Sequence, residues 1–228
     1  MTLIQGAELG GVLVAMTSDT RQALAFKTGN DVKYVPFLDA EKSKVERIAP
    51  YVIYGGGGLT GFVNEVKKRL AAEVPGGQFL LDFRKPFEKV VEDLKTHKRF
   101  GKLLDDDTTA QIMISGFNED GSTGVLTFNT GEGCSVKYKQ HDHGAQDMRI
   151  IAPSADQLDA ILKAVKYPEV SDVSEVAAAT LSFFISIQAA AFETDAETVS
   201  ETCNYCVLYR DPQTGEFACF EDSIKVNE

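Results

Sequence analysis

The chain has 228 residues, a formal net charge of −11 and a pI near 4.8, with 43% hydrophobic and 25% charged residues. That length suffices to bury a full core, and the composition is that of a globular chain. The acidic balance has no basic stripe to offset it, "KKRL" at 67–70 being the densest cluster, so nucleic acid is excluded as an expected partner.

The first 55 residues read as β structure joined by short turns: "TLIQGAEL" and "GVLVAMT" around a glycine turn, then "ALAFK", "VKYVPF" and "YVIYG". A glycine turn, "GGGG" at 55–58, leads into a helix over 59–73, where Leu59, Phe62, Val63, Val66 and Leu70 share one face. A second helix is expected over 86–100 on Phe87, Val90, Val91 and Leu94. A further β block runs from about residue 108, with "AQIMISGF" and "TGVLTFNT" flanking the hairpin signal "NEDGS", then "CSVKYKQ" and "MRIIAP". Two more helices follow, "SADQLDAILKAVK" with Ser154 at its N-cap and "SEVAAATLSFFISIQAAAF". A last hairpin, "NYCVLYRD" and "EFACFEDSI", turns at "PQTG".

Strands grouped with strands argue for antiparallel sheets, and two sheets with two helix pairs suggest an α+β, four-layer αββα sandwich. No repeat or linker divides the chain, so one domain over 1–228 is expected. No segment supplies about 18 uninterrupted apolar residues, and "MTLIQGAELGG" lacks the basic and apolar regions of a signal peptide, which points to a cytoplasmic chain without a membrane partner.

Several motifs carry candidate chemistry. Gly56, Gly58 and Gly61 satisfy G-x-G-x-x-G, with Asp82 as the acidic residue further on, so nucleotide binding is one reading. His141 and His143 could hold a metal with Asp142 or Asp147, although two histidines in an acidic turn are more often solvated, and no metal or cofactor is expected. Cys203 and Cys206 form C-x-x-C within a strand pattern, where residues three apart face opposite sides, so inert thiols are expected. No G-x-S-x-G elbow is present. Thr2 follows Met1 at a junction that bacteria commonly trim, and an exposed N-terminal threonine can use its own α-amine as the base for its hydroxyl.

In the order of these signals the chain resembles proteasome β subunits and the related HslV-type peptidases, which are N-terminal-nucleophile hydrolases. The resemblance rests on "GVLVAMTSDTR" with Asp19 and Arg21, "NDVKYVPF" with Lys33, "VIYGGGGLTGF" with Gly55, and "DAETVSETCNY" with Asp195 and Ser200. Leu59 stands where the family has an acidic residue, and "APSAD" stands where it has Gly-Ser-Gly. The resemblance implies cleavage of peptide or amide bonds by Thr2 once Met1 is removed. Lys33 would depress the amine pKa, Asp19 would orient Lys33, and the Gly55 N–H would meet the oxyanion. It also implies a homo-oligomer, ring or dimer, and leaves an ATPase partner open. A proteasome-like scaffold or assembly subunit without catalysis is the alternative, and a nucleotide-binding protein the second.

Overall fold

The computed structural model describes residues 3–28, 31–36, 43–105, 109–151, 159, 161–163, 165–170, 172–196 and 198–226. The chain opens with β1 (Ile4–Leu9) and β2 (Leu13–Asp19), a hairpin whose turn at Gly10–Gly11 takes Gly11 to φ 78°. Next come β3 (Ala23–Thr28) and β4 (Asp31–Pro36), which pair with each other as a separate two-stranded hairpin, then β5 (Val45–Ala49) and β6 (Val52–Gly58). Three helices follow: α1 (Thr60–Glu73), α2 (Leu80–Thr96) and the short α3 (Phe100–Asp105). Strands β7 (Ala110–Phe117), β8 (Thr123–Asn129), β9 (Val136–His141) and β10 (Gln146–Ile151) lead to α4 (Val176–Thr194) and a final hairpin of β11 (Thr202–Arg210) and β12 (Phe217–Lys225).

The strands form two antiparallel five-stranded sheets, ordered β10-β1-β2-β11-β12 and β5-β6-β7-β8-β9, so the fold is α+β. Side chains alternate across each strand, and the faces turned toward each other meet in one apolar cluster: Ile4, Val14 and Met16 from the first sheet, Ile53, Met113 and Val125 from the second. The other face of the second sheet lies under α1 and α2, which bury Phe62, Val66, Leu70, Phe87, Val90 and Leu94 against Tyr54, Ile112 and Leu126. The other face of the first sheet lies under α4, where Phe184, Ile187 and Ala191 meet Ala15 and Val207. Each buried Val, Leu, Ile, Phe or Met among them contributes roughly 1.5–3 kcal/mol, which is the main force stacking these layers.

Several expectations are corrected. The four glycines expected as a turn continue β6: Gly55 pairs with Val45 and Met113, and Gly58 with Ala110. At Gly55 and Gly56 glycine is favoured because the two sheet faces there leave no room for a Cβ. A Cβ on Gly55 would lie 2.4 Å from Met16 Sδ, and one on Gly56 2.3 Å from Val63 Cγ1. The turn comes only at Gly58, whose φ of 84° and the Thr109 carbonyl beside it require glycine. Helix α2 begins at Leu80, not residue 86, because Asp82 Oδ2 accepts the N–H groups of Gln78 and Phe79 at 2.9 and 3.0 Å and caps it there. Pro86 sits inside the helix instead of starting it. Of the expected helix "SADQLDAILKAVK", Ser154 lies outside the described residues, while Asp159 and residues 161–163 are helical.

Helix Val173–Thr194 is long and apolar enough, by length and composition, to cross a membrane. Here its inner face packs on the first sheet, and Gln188 Nε2 donates to the carbonyls of Ser200 and Thr202 at 3.0 and 2.7 Å.

Candidate active site

The candidate site sits where the open end of β2, the start of β1 and the approach to β5 converge. Strand β2 ends at Asp19, whose side chain is fully enclosed. Its carboxylate accepts the Leu3 N–H on Oδ1 at 2.8 Å and the Arg21 N–H on Oδ2 at 3.0 Å. Lys44 Nζ reaches both oxygens, at 2.8 and 2.9 Å, with only 9% of its side chain exposed. Burial pushes the Asp19 carboxyl up and the Lys44 ammonium down, and their direct ion pair opposes both shifts.

Lys44 is therefore the lysine that meets Asp19. Lys33, the lysine expected from sequence, lies in β4 of the separate hairpin, paired with Phe26. The missed signal was "KSKVERI": a lysine directly before an apolar-edged strand, one strand ahead of the glycines. That strand, β5, has only a short apolar pattern, interrupted by Glu46 and Arg47.

The lysine's backbone is anchored too, since Gly56 N–H donates to Lys44 O at 3.1 Å. Successive N–H groups along a strand point to opposite sides. Gly55 N–H is thus directed toward β7, its partner strand at Met113, and not toward Lys44. Gly58 shares the orientation of Gly56 and lines a pocket of about 60 Å³ with Arg21, Lys44, Tyr54, Thr60 and Asn64. Tyr54 Oη donates to Val63 O at 2.8 Å and ties β6 to α1 behind that pocket.

Ser200 braces the other side. Its Oγ accepts the Thr20 N–H at 2.9 Å, lies 2.9 Å from Thr20 Oγ1 and donates to Thr202 O at 2.9 Å. Asp195 stands one step further out, at the C-terminus of α4, and accepts from Thr198 N and Oγ1 at 3.2 and 2.5 Å. Arg21 Nη1 closes the loop by donating to Ala196 O. Asp19, Lys44, Thr20 and Ser200 are thus brought together, and Asp195 fixes the loop that carries Ser200. Thr2 lies outside the described residues, next in sequence to Leu3.

The remaining motifs resolve differently. The strands on either side of the glycine motif, β6 and β7, pair antiparallel across α1, α2 and α3, unlike the parallel βαβ unit of a dinucleotide site. Asp82 serves as a helix cap. Cys203 and Cys206 are free thiols on opposite faces of β11, and burial lifts Cys203 to about 12, which keeps it an unreactive thiol at neutral pH. Cys206 instead faces Glu221 across the strand pair.

No protein-family model matches the chain, and no curated protein matches it in sequence.

Proposed function

We propose that the chain is a proteasome-like N-terminal threonine hydrolase that cleaves peptide or amide bonds, with Thr2 as nucleophile after removal of Met1. One observation carries this reading: a buried Asp19–Lys44 ion pair whose carboxylate also holds the Leu3 N–H, one residue from Thr2. Leu3, the residue that follows Thr2 in sequence, is held at that pair by its own N–H. A cation there depresses the pKa of a neighbouring α-amine, which then takes the hydroxyl proton directly or through water.

In this reading Lys44, not Lys33, is the activating cation, and Asp19 holds it in place. The Gly58 N–H, on the pocket side of β6, receives the oxyanion in place of Gly55. Such a contact is worth roughly 3 kcal/mol in other acyl-transfer sites. Ser200 and Asp195 are positioning residues that hold Thr20 and its loop.

Intact mass of the purified protein, before and after a threonine-directed peptide electrophile, tests the proposal. The expected result is loss of Met1 and one adduct on Thr2, abolished by Thr2→Ala and Lys44→Ala but kept by Lys33→Ala. A chain that retains Met1, or labelling that survives Thr2→Ala, rejects it.

A second reading, a non-catalytic proteasome-like assembly subunit, is favoured by one feature: Phe220 and Ile224 stand 53% and 40% exposed on the edge strand β12. An assembled protein that resists the electrophile would support it.

A further inference from the structure

We propose that Glu8, His141 and Asp147 form a binding site for a divalent transition-metal ion between the two sheets, at the far end of β1 and β2 from Asp19. The site is built by the crossing from one sheet to the other. Strand β9 ends at His141 in the second sheet, and β10 begins at Gln146 in the first, where Asp147 lies directly opposite Glu8. Glu8 points inward from β1 to the second sheet, and its Oε1 accepts Ser115 Oγ at 2.6 Å.

Two buried atoms there that could ligate a metal have no hydrogen-bond partner among the described residues: Glu8 Oε2 and His141 Nε2. Both residues are almost sealed, at 2% and 3% exposure. They point at one another without bonding, with Nε2 4.0 Å from Glu8 Oε2 and 3.4 Å from Asp147 Oδ2. A hydrogen bond between such groups closes to about 3 Å. Two ligands at about 2.0–2.2 Å from a shared ion instead lie roughly 3–4 Å apart, as these do. Ser115 holds the Glu8 carboxylate from behind, in the manner of the outer-shell partners that orient metal ligands.

Lys139 Nζ and Arg149 Nη2 both reach Asp147 Oδ2, while Arg149 Nη1 is a further buried atom without a hydrogen-bond partner among the described residues. One imidazole and two carboxylates in a closed space suit Zn²⁺, Co²⁺ or a similar ion. Ca²⁺ requires six to eight oxygens, and Mg²⁺ keeps its own waters. An ion here would clip the sheets together, so its binding would appear directly as stability.

The test uses the full chain after chelator treatment, with thermal unfolding read against added ZnCl₂ and metal content measured after dialysis. Near 100 times Kd the melting temperature should rise by about 5–10 °C, with one ion per chain. Glu8→Gln and His141→Ala should each abolish the rise, while His143→Ala and His97→Ala should keep it. Co²⁺ should show the visible absorption of a four- or five-coordinate site. No rise with Zn²⁺, a rise that survives His141→Ala and Glu8→Gln, or an equal rise with CaCl₂ would overturn the proposal. Glu8→Gln preserves shape and the Ser115 contact, so misfolding of His141→Ala alone would leave the test decisive.

Discussion

At the scale of single residues, Lys44 and Asp19 form a pair that stability alone does not explain. Taking two charges out of water costs about as much as their attraction returns, and apolar residues of equal volume often serve as well or better. In the proposed reading the pair is held in place to act on the N-terminal threonine. Removing Lys44 alone would leave Asp19 buried and uncompensated, at a cost of about 3–5 kcal/mol, so the labelling test on Lys44→Ala needs an unfolding curve beside it. Tyr54 supports the same pocket through a different balance. Its phenol is buried and bonded to Val63 O, and burial raises it well above the ordinary value of 10.0. The folded chain thus keeps a proton that the unfolded chain releases above that pH. Fewer protons bound in the unfolded state means that stability falls as pH rises. Tyr54→Phe should cost about 1 kcal/mol at neutral pH, for a carbonyl that loses its donor. In return it should flatten the alkaline loss. Urea unfolding at neutral pH and above pH 10 measures both, and parallel alkaline losses in the two proteins would refute the assignment to Tyr54.

At the scale of elements, β6 shows what governs the site and why it was hard to read. Glycine is a poor strand former, so "GGGG" reads as a turn when only local preference is considered. The reason for it is long-range: Met16 approaches one face and Val63 of α1 the other. Those two contacts predict different costs. Met16 is unbranched and can swing aside, whereas Val63 is held to essentially one helical rotamer. Gly56→Ala should cost about 1–3 kcal/mol, and Gly55→Ala less. Val63→Ala should be milder in the Gly56→Ala background than alone, by at least about 0.5 kcal/mol. Urea midpoints of the four proteins complete that cycle, and strict additivity would rule out the Val63 clash. Other elements were legible because their signals were local. The helix over 59–73 appears as α1, and Asp120-Gly121 turns the β7–β8 hairpin with Gly121 at φ 82°. In the candidate site, Asp19 and Ser200 are positions that the resemblance singles out, whereas Lys44 stands at the start of β5, whose short apolar pattern is interrupted by Glu46 and Arg47. The gathering of Glu8 with His141 and Asp147 depends on a chain crossing between sheets that no local pattern reports.

At the scale of the whole molecule, the layers are unevenly covered. Helices α1 and α2 close one face of the second sheet, and α4 closes the matching face of the first over β2 and β11. Among the described residues that cover stops short of β12. Phe220 and Ile224 share one face of this nine-residue strand, since their numbers differ by an even count, and both are exposed. Among the described residues β12 is hydrogen-bonded only to β11, which leaves its other edge as a row of backbone donors and acceptors. A long edge strand carrying apolar side chains favours pairing with another chain. The occupant expected at that edge is a second copy of the chain, in keeping with the homo-oligomer that the resemblance implies. Sedimentation should then give a particle well above the 24.8 kDa of one chain. Phe220→Glu should shift it toward the monomer while leaving the Asp19–Lys44 end of the molecule folded, because Phe220 is exposed and pairs with Val207, away from Asp19 at Cys203. A wild-type protein that sediments as a monomer at every concentration, or an assembly indifferent to Phe220→Glu, would show that β12 is not the contact.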